Sequence, residues 1–152
     1  MGNPTESQFR EFMSLAEPRL HRALVAAYGW ERGQEATADA LSYAWEHWTK
    51  MQHLNNPVGY LFRVGQSRVR QRKEPLVFVR PVDSDNWYEP ALAKSLSELS
   101  ERQRLAVVLV YGYQWTTQEV GELLGIKATT VQSHLARALA ALRIHMEVGD
   151  HV

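Results

Sequence analysis

Thr116, Thr117, Lys127, Thr129, Gln132, Ser133, Ala136 and Arg137 are spaced as the outward positions of a helix-turn-helix over residues 116–143. Their chemistry is hydrogen bonding to base edges and phosphates, not bond making. Arginine pairs bidentately with guanine and glutamine with adenine, each good pair discriminating by about 1–3 kcal/mol. Thr116, Thr117 and Lys127 fall where a helix N-terminus or turn meets phosphate, which positions without specifying. Val120, Leu123 and Leu124 give a short helix its buried face, and Gly125 permits the sharp turn. Val131, Leu135, Ala138, Leu139 and Leu142 form the apolar stripe of a longer second helix. Such a unit sets its second helix in the major groove.

A second set lies upstream: His53, Asn55, Asn56, Tyr60, Arg63, Ser67, Arg68 and Arg70. Its chemistry is that of a held single strand. Cations track a backbone, while amides, an imidazole or rings accept unstacked bases. Tyr60 suits stacking and core packing equally well by spacing, and Phe62 fits the core better. Net charge is zero, yet residues 57–80 carry Arg63, Arg68, Arg70, Arg72, Lys73 and Arg80 against Glu74 alone. Residues 81–101 carry Asp83, Asp85, Glu89, Glu98 and Glu101 against Lys94 alone. The overall balance hides a basic stripe followed by an acidic stretch.

Other chemistries lack their residues. There are no cysteines, which removes disulfides, thiolate metal sites and cysteine nucleophiles. The six histidines form no ligand-like motif with a carboxylate, so neither a metal nor any cofactor is expected. No nucleophile elbow or phosphate-cradling glycine loop is present, and an enzyme is not expected. No apolar run approaches the ~18 residues of a membrane span, and residues 1–11 lack a signal-peptide core. A soluble cytoplasmic protein without membrane partners is the expectation.

The elements that must position these residues are helical throughout. Phe9, Phe12, Met13, Leu15, Ala16 and Leu20 recur at helical spacing, and Leu24 and Val25 continue the face to Tyr28, before Gly29 and Gly33 interrupt. A helix over residues 36–48 carries Ala40, Leu41, Ala44, Trp45 and Trp48 on its apolar side. Asn56 and Pro57 suit the cap and first position of the next helix, which is lined by Tyr60, Leu61 and Val64. Pro75, Pro81 and Pro90 mark residues 74–90 as a flexible linker. Helices resume at Ala91, and Ser100 with Gln103 and Thr116 with Glu119 carry the capping-box signature. The first of these opens a helix to about Tyr111, with Leu105, Val108 and Leu109 inward. The fold class expected is all-α, with two small helical domains at residues 7–73 and 91–146.

With both halves in view, the chain resembles the sigma-70 superfamily of bacterial RNA polymerase, specifically its extracytoplasmic-function sigma factors. Leu99-Ser100-Glu101-Arg102-Gln103-Arg104 is similar to that family's L-x-x-R-Q-R opening, and residues 130–138 match its recognition helix. Residues 36–45 resemble the helix that docks on the polymerase clamp, and Pro57-Val58-Gly59-Tyr60-Leu61-Phe62-Arg63-Val64 the segment that opens the promoter. The resemblance implies a region 2-like bundle and a region 4-like helix-turn-helix. It implies core RNA polymerase and promoter DNA as partners, with an anti-sigma protein as a further one. It assigns the −35 element to the residues from Thr116 to Arg137 named above. The −10 element and melting fall to the set from His53 to Arg70, and polymerase binding to Asp39, Ser42, Tyr43, Trp45 and Glu46. Arg102 and Arg104 are candidates for DNA backbone contact, Arg104 alternatively for an acidic neighbour. The acidic linker would enter the polymerase cleft or serve as a solvated tether.

Three departures from the family pattern stand out. Gln132 and His134 occupy positions where many members carry a basic residue, Lys127 stands where a small capping residue is common, and Ala38-Asp39 replaces a frequent Gln-Glu pair. Fewer fixed charges predict feeble binding to −35 DNA by the isolated chain. Two other readings compete: a conventional dimeric helix-turn-helix regulator of a palindromic site, and a sigma-like decoy without initiation activity.

Overall fold

The computed structural model describes residues 4–71 and 90–150. The elements in chain order are α1 (Pro4–Tyr28), α2 (Trp30–Glu46), α3 (Trp48–Met51), α4 (Pro57–Arg70), α5 (Pro90–Glu98), α6 (Glu101–Val107), α7 (Thr117–Leu124) and α8 (Ala128–Asp150). A π-helical turn, Val108–Gly112, extends α6. The described residues contain no strand.

Leu20, Leu24 and Ala27 of α1 are wholly buried, as are Ala40 and Ala44 of α2 and Leu61 of α4. Ala36, Ala40 and Ala44 repeat every four residues, so the face of α2 turned to the core is flat. Gly33 sits where α1 crosses α2. A Cβ there would lie 2.5 Å from Val25 Cα, so no other residue permits this approach without backbone movement. The sequence expectation placed an interruption at Gly33 and a helix start at Ala36. Instead only Gly29, at φ 91°, breaks the chain, and α2 runs unbroken from Trp30 through Gly33. The helix is kept because Thr37 Oγ1 donates to Gly33 O at 2.7 Å and because α1 packs on the bare glycine.

Four further expectations need adjustment. Met13 and Leu15 lie off the apolar face and are exposed, while Phe9, Ala16 and Leu20 keep it. His47 separates α2 from α3, whose Trp48 and Met51 turn inward. α6 ends at Val107, and the Tyr113 N–H donates to Val108 O five residues back. That wider turn advances the register, so Val107 is buried against Leu99 and Ala138 while Val108 is only half-buried. Helix α5 starts at Pro90, the first helical position a proline fits best. Arg72 and Lys73 of the first expected domain and residues 74–89 of the expected linker, with Arg80, Asp83, Asp85 and Glu89, lie outside the described residues.

The two halves do not stand apart. One continuous core joins Leu20, Leu24 and Phe62 of the first half to Leu105, Leu109, Trp115, Val120 and Val131 of the second. Each fully buried leucine or phenylalanine contributes about 1.5–3 kcal/mol. Neither half is large, and each borrows part of its core from the other.

Candidate nucleic-acid interface

Two capping boxes and one left-handed turn build the helix-turn-helix. Thr116 Oγ1 accepts from Glu119 N at 3.0 Å and Glu119 Oε1 accepts from Thr116 N at 3.1 Å, opening α7. Ser100 and Gln103 do the same for α6 at 3.2 and 3.3 Å. Such caps hold helix starts that would otherwise fray, each worth about 1 kcal/mol. Gly125 closes α7 at φ 71° and ψ 33°, the left-handed conformation that disfavours any Cβ. Val120, Leu123, Val131 and Ala138 are buried, and Leu135, Leu139 and Leu142 are half-buried along the same stripe.

This packing turns Thr129, Gln132, Ser133, Ala136 and Arg137 outward on α8, and all five are exposed. Thr116 and Lys127 are exposed beside them, and Thr117 is half-buried at the start of α7. His134 is half-buried on α8. Burial, and then the Arg102 and Arg137 cations, hold its pKa below the usual histidine range. Arg102 of α6 and Arg137 of α8 thus both act electrostatically on this histidine.

Helix α4 carries the second set. Asn56 Oδ1 accepts from Gly59 N at 3.0 Å and Pro57 follows as the first helical residue, as the spacing predicted. Leu61, Phe62 and Val69 face the core, and Arg63, Ser67, Arg68 and Arg70 are exposed. His53 and Asn55 are exposed in the preceding loop. Tyr60 is half-buried with its hydroxyl 3.1 Å from that of Tyr43, which favours packing over stacking on a base. Phe62, 1% exposed, is core.

Of the residues expected to face polymerase, Ser42, Trp45 and Glu46 are exposed and Asp39 and Tyr43 half-buried. The Trp45 ring, 51% exposed, packs 5.0 Å from Phe9. Tyr43 stacks on His47 at 4.0 Å, so this face adjoins the base of α4 through the Tyr43–Tyr60 pair.

Sequence reasoning missed what joins the halves. Arg104 is buried, which withdraws it from contact with a DNA backbone, and Glu101 is among its electrostatic neighbours. Its Nε donates to Ala27 O at 3.0 Å and its Nη2 to the same oxygen, while Nη1 donates to Leu99 O at 2.9 Å and Leu96 O at 3.3 Å. Helix α1 has no basic residue in its last turn. Arg104 supplies that cation from the other half of the chain, where the helix dipole favours one. Arg19 donates to Glu119 at 3.2 Å and its guanidinium lies 4.3 Å from the Trp115 ring centre. No local pattern marks these partners, because they are set by long-range packing.

The family model for sigma-70, region 4 matches residues 90–142, which contain α5 to α7 and most of α8. The match is confined to the second half of the chain. Over 59 residues it is 42% identical to the RNA polymerase sigma-E factor of Streptomyces antibioticus, covering 39% of this chain and 33% of that one. Over 55 residues it is 46% identical to the sigma-E factor of Streptomyces avermitilis, covering 36% and 31%. The RNA polymerase sigma factor FliA of Pseudomonas aeruginosa is 32% identical over 62 residues, 41% of this chain and 25% of that one. The chain thus matches a third or less of the length of these curated relatives. A solved structure, the sigma factor RpoE in complex with the anti-sigma factor NepR from Bartonella quintana, has the same fold. It aligns with a TM-score of 0.68 at 19% identity over 93% of this chain and 98% of that one.

Proposed function

We propose that this chain is a sigma factor of the sigma-70 family, a promoter-specificity subunit that binds bacterial core RNA polymerase, recognises −35 and −10 elements and assists strand opening. The single observation that carries the proposal is the exposed row Thr129, Gln132, Ser133, Ala136 and Arg137 on α8, backed by a buried apolar stripe. Gln132 and Arg137 carry donors suited to adenine and guanine edges. Thr116, Thr117, Lys127 and Arg102 meet phosphates on either side of them.

Residues 7–73 act as the unit for polymerase and the −10 element, and residues 91–146 as the unit for −35. Asp39, Ser42, Tyr43, Trp45 and Glu46 face the polymerase. His53, Asn55, Arg63, Ser67, Arg68 and Arg70 track the opened strand, with Asn56 and Tyr60 at its edge. The chain forms and breaks no covalent bond itself and acts in the cytoplasm. An anti-sigma protein is the regulator proposed for it, as one accompanies the Bartonella RpoE.

Run-off transcription with purified bacterial core enzyme on genomic templates, with and without this chain, tests the proposal. Discrete chain-dependent transcripts are expected. No affinity for core enzyme, together with tight twofold-symmetric binding to a palindrome, would overturn it in favour of a dimeric regulator.

A further inference from the structure

The turn that leads into α7 holds one residue in a conformation its type disfavours. Gln114 has φ 61°, and among the described residues it is the only one other than glycine in the left-handed region. That backbone costs any residue with a Cβ, and glycine nothing. Both neighbours impose it. Tyr113 N donates to Val108 O at 3.2 Å and to Leu109 O at 3.3 Å, and its ring centre lies 5.2 Å from the Arg22 guanidinium carbon. Trp115 N donates to Leu109 O at 2.9 Å, and the buried Trp115 ring lies beneath the Arg19 guanidinium. Strain of this kind persists only where the surroundings over-determine it.

The fold thus dictates φ at this position but not the side chain. The glutamine side chain does not stabilise the turn. It is exposed, and it has no hydrogen bond, ion pair or ring contact among the described residues. It does stand two residues before Thr116, the exposed N-cap of α7. Two residues span at most about 7 Å, and a DNA strand rises about 3.4 Å per nucleotide. An amide at position 114 therefore falls within one or two phosphates of any that Thr116 meets. Glutamine is a regular phosphate donor in duplex-reading proteins.

We propose that Gln114 is a further contact of the α7–α8 unit with duplex DNA, its Nε2 donating to a backbone phosphate beside the one met by Thr116. The inference rests on the reading of that unit as a duplex reader. A phosphate contact positions without specifying, and a neutral donor releases no counterion. Its loss weakens binding by one factor at every sequence and every salt concentration.

The test uses the full chain and a fluorescein-labelled random-sequence 30-mer duplex, read by anisotropy at several salt concentrations, with urea unfolding alongside. Gln114→Gly removes amide and strain together, and Gln114→Ala removes the amide alone. Expected for both is an about three- to tenfold loss of duplex affinity with an unchanged salt slope, while the urea midpoint rises for glycine and not for alanine. Stability and affinity then move in opposite directions for glycine, which loss of a merely structural residue does not produce. Wild-type affinity in either variant, or a urea midpoint that glycine fails to raise, would overturn the proposal. Lys127→Ala tells this failure from that of the broader reading. Weaker and less salt-dependent binding by Lys127→Ala leaves the duplex reading standing. If neither Lys127→Ala nor Gln114→Gly weakens binding, both fall together.

Discussion

Replacing Arg104 by alanine should cost the fold about 3–5 kcal/mol. The guanidinium is 4% exposed and donates to three backbone carbonyls, those of Ala27, Leu96 and Leu99. A hydrogen bond from a charged donor is worth about 1.5–3 kcal/mol net, and leaving a buried acceptor unpaired costs about 1–3 kcal/mol. These do not add in full, because part of the gain repays desolvation of the cation, and burial indeed holds the Arg104 pKa below its ordinary value. The remaining loss is a large share of the roughly 5–15 kcal/mol that stabilises a small protein. Urea unfolding followed by tryptophan fluorescence reads it directly, with a midpoint about 2 M lower at an m-value of about 2 kcal/mol/M. Arg104→Lys should recover less than half the loss, since a point ammonium cannot span carbonyls that the planar fork reaches on both sides. A loss below about 1 kcal/mol for alanine would refute the claim that this side chain fastens α1 to α6.

Four other outcomes are expected. Tyr28 has a buried hydroxyl without a hydrogen bond, its pKa pushed up by burial and then by Glu101, so Tyr28→Phe should be neutral or stabilise by about 1 kcal/mol in the same assay. Gly125→Ala should cost about 1–2 kcal/mol through its left-handed backbone alone, since the Cβ would meet Arg63 at an ordinary 3.5 Å; Gly125→Asn should lose less. Arg137→Ala should weaken −35 recognition in the assembled polymerase about 5- to 150-fold, the equivalent of about 1–3 kcal/mol, with core binding unchanged in a pull-down. The Glu119 carboxylate is held below its usual pKa first by the Thr116 backbone N–H, and Arg19 adds to this. Its folded pKa is below the unfolded one, so its contribution is present above about pH 4.3 and fades as pH falls through the lower folded value. The stability gap between the wild type and Glu119→Gln, read by thermal unfolding, should shrink over that acidic window.

What the residues alone decided is local. Ser100 with Gln103, Thr116 with Glu119, Asn56 with Pro57, and Gly125 each act within four positions of the chain. Their capping geometry therefore follows from types and spacing, and the α8 stripe follows from helical period. The exposed row on α8 was legible for the same reason. Gly33 was misjudged because propensity opposes glycine within a helix, whereas the crossing of α1 and α2 demands one. Tertiary structure decided the rest. Arg104 and Ala27 are 77 positions apart, Asn56 and Glu122 66, and Arg19 and Glu119 100. No periodicity links such partners. They meet because two small helical bodies each bury apolar surface on the other, and that shared core determines which face of α4 is covered.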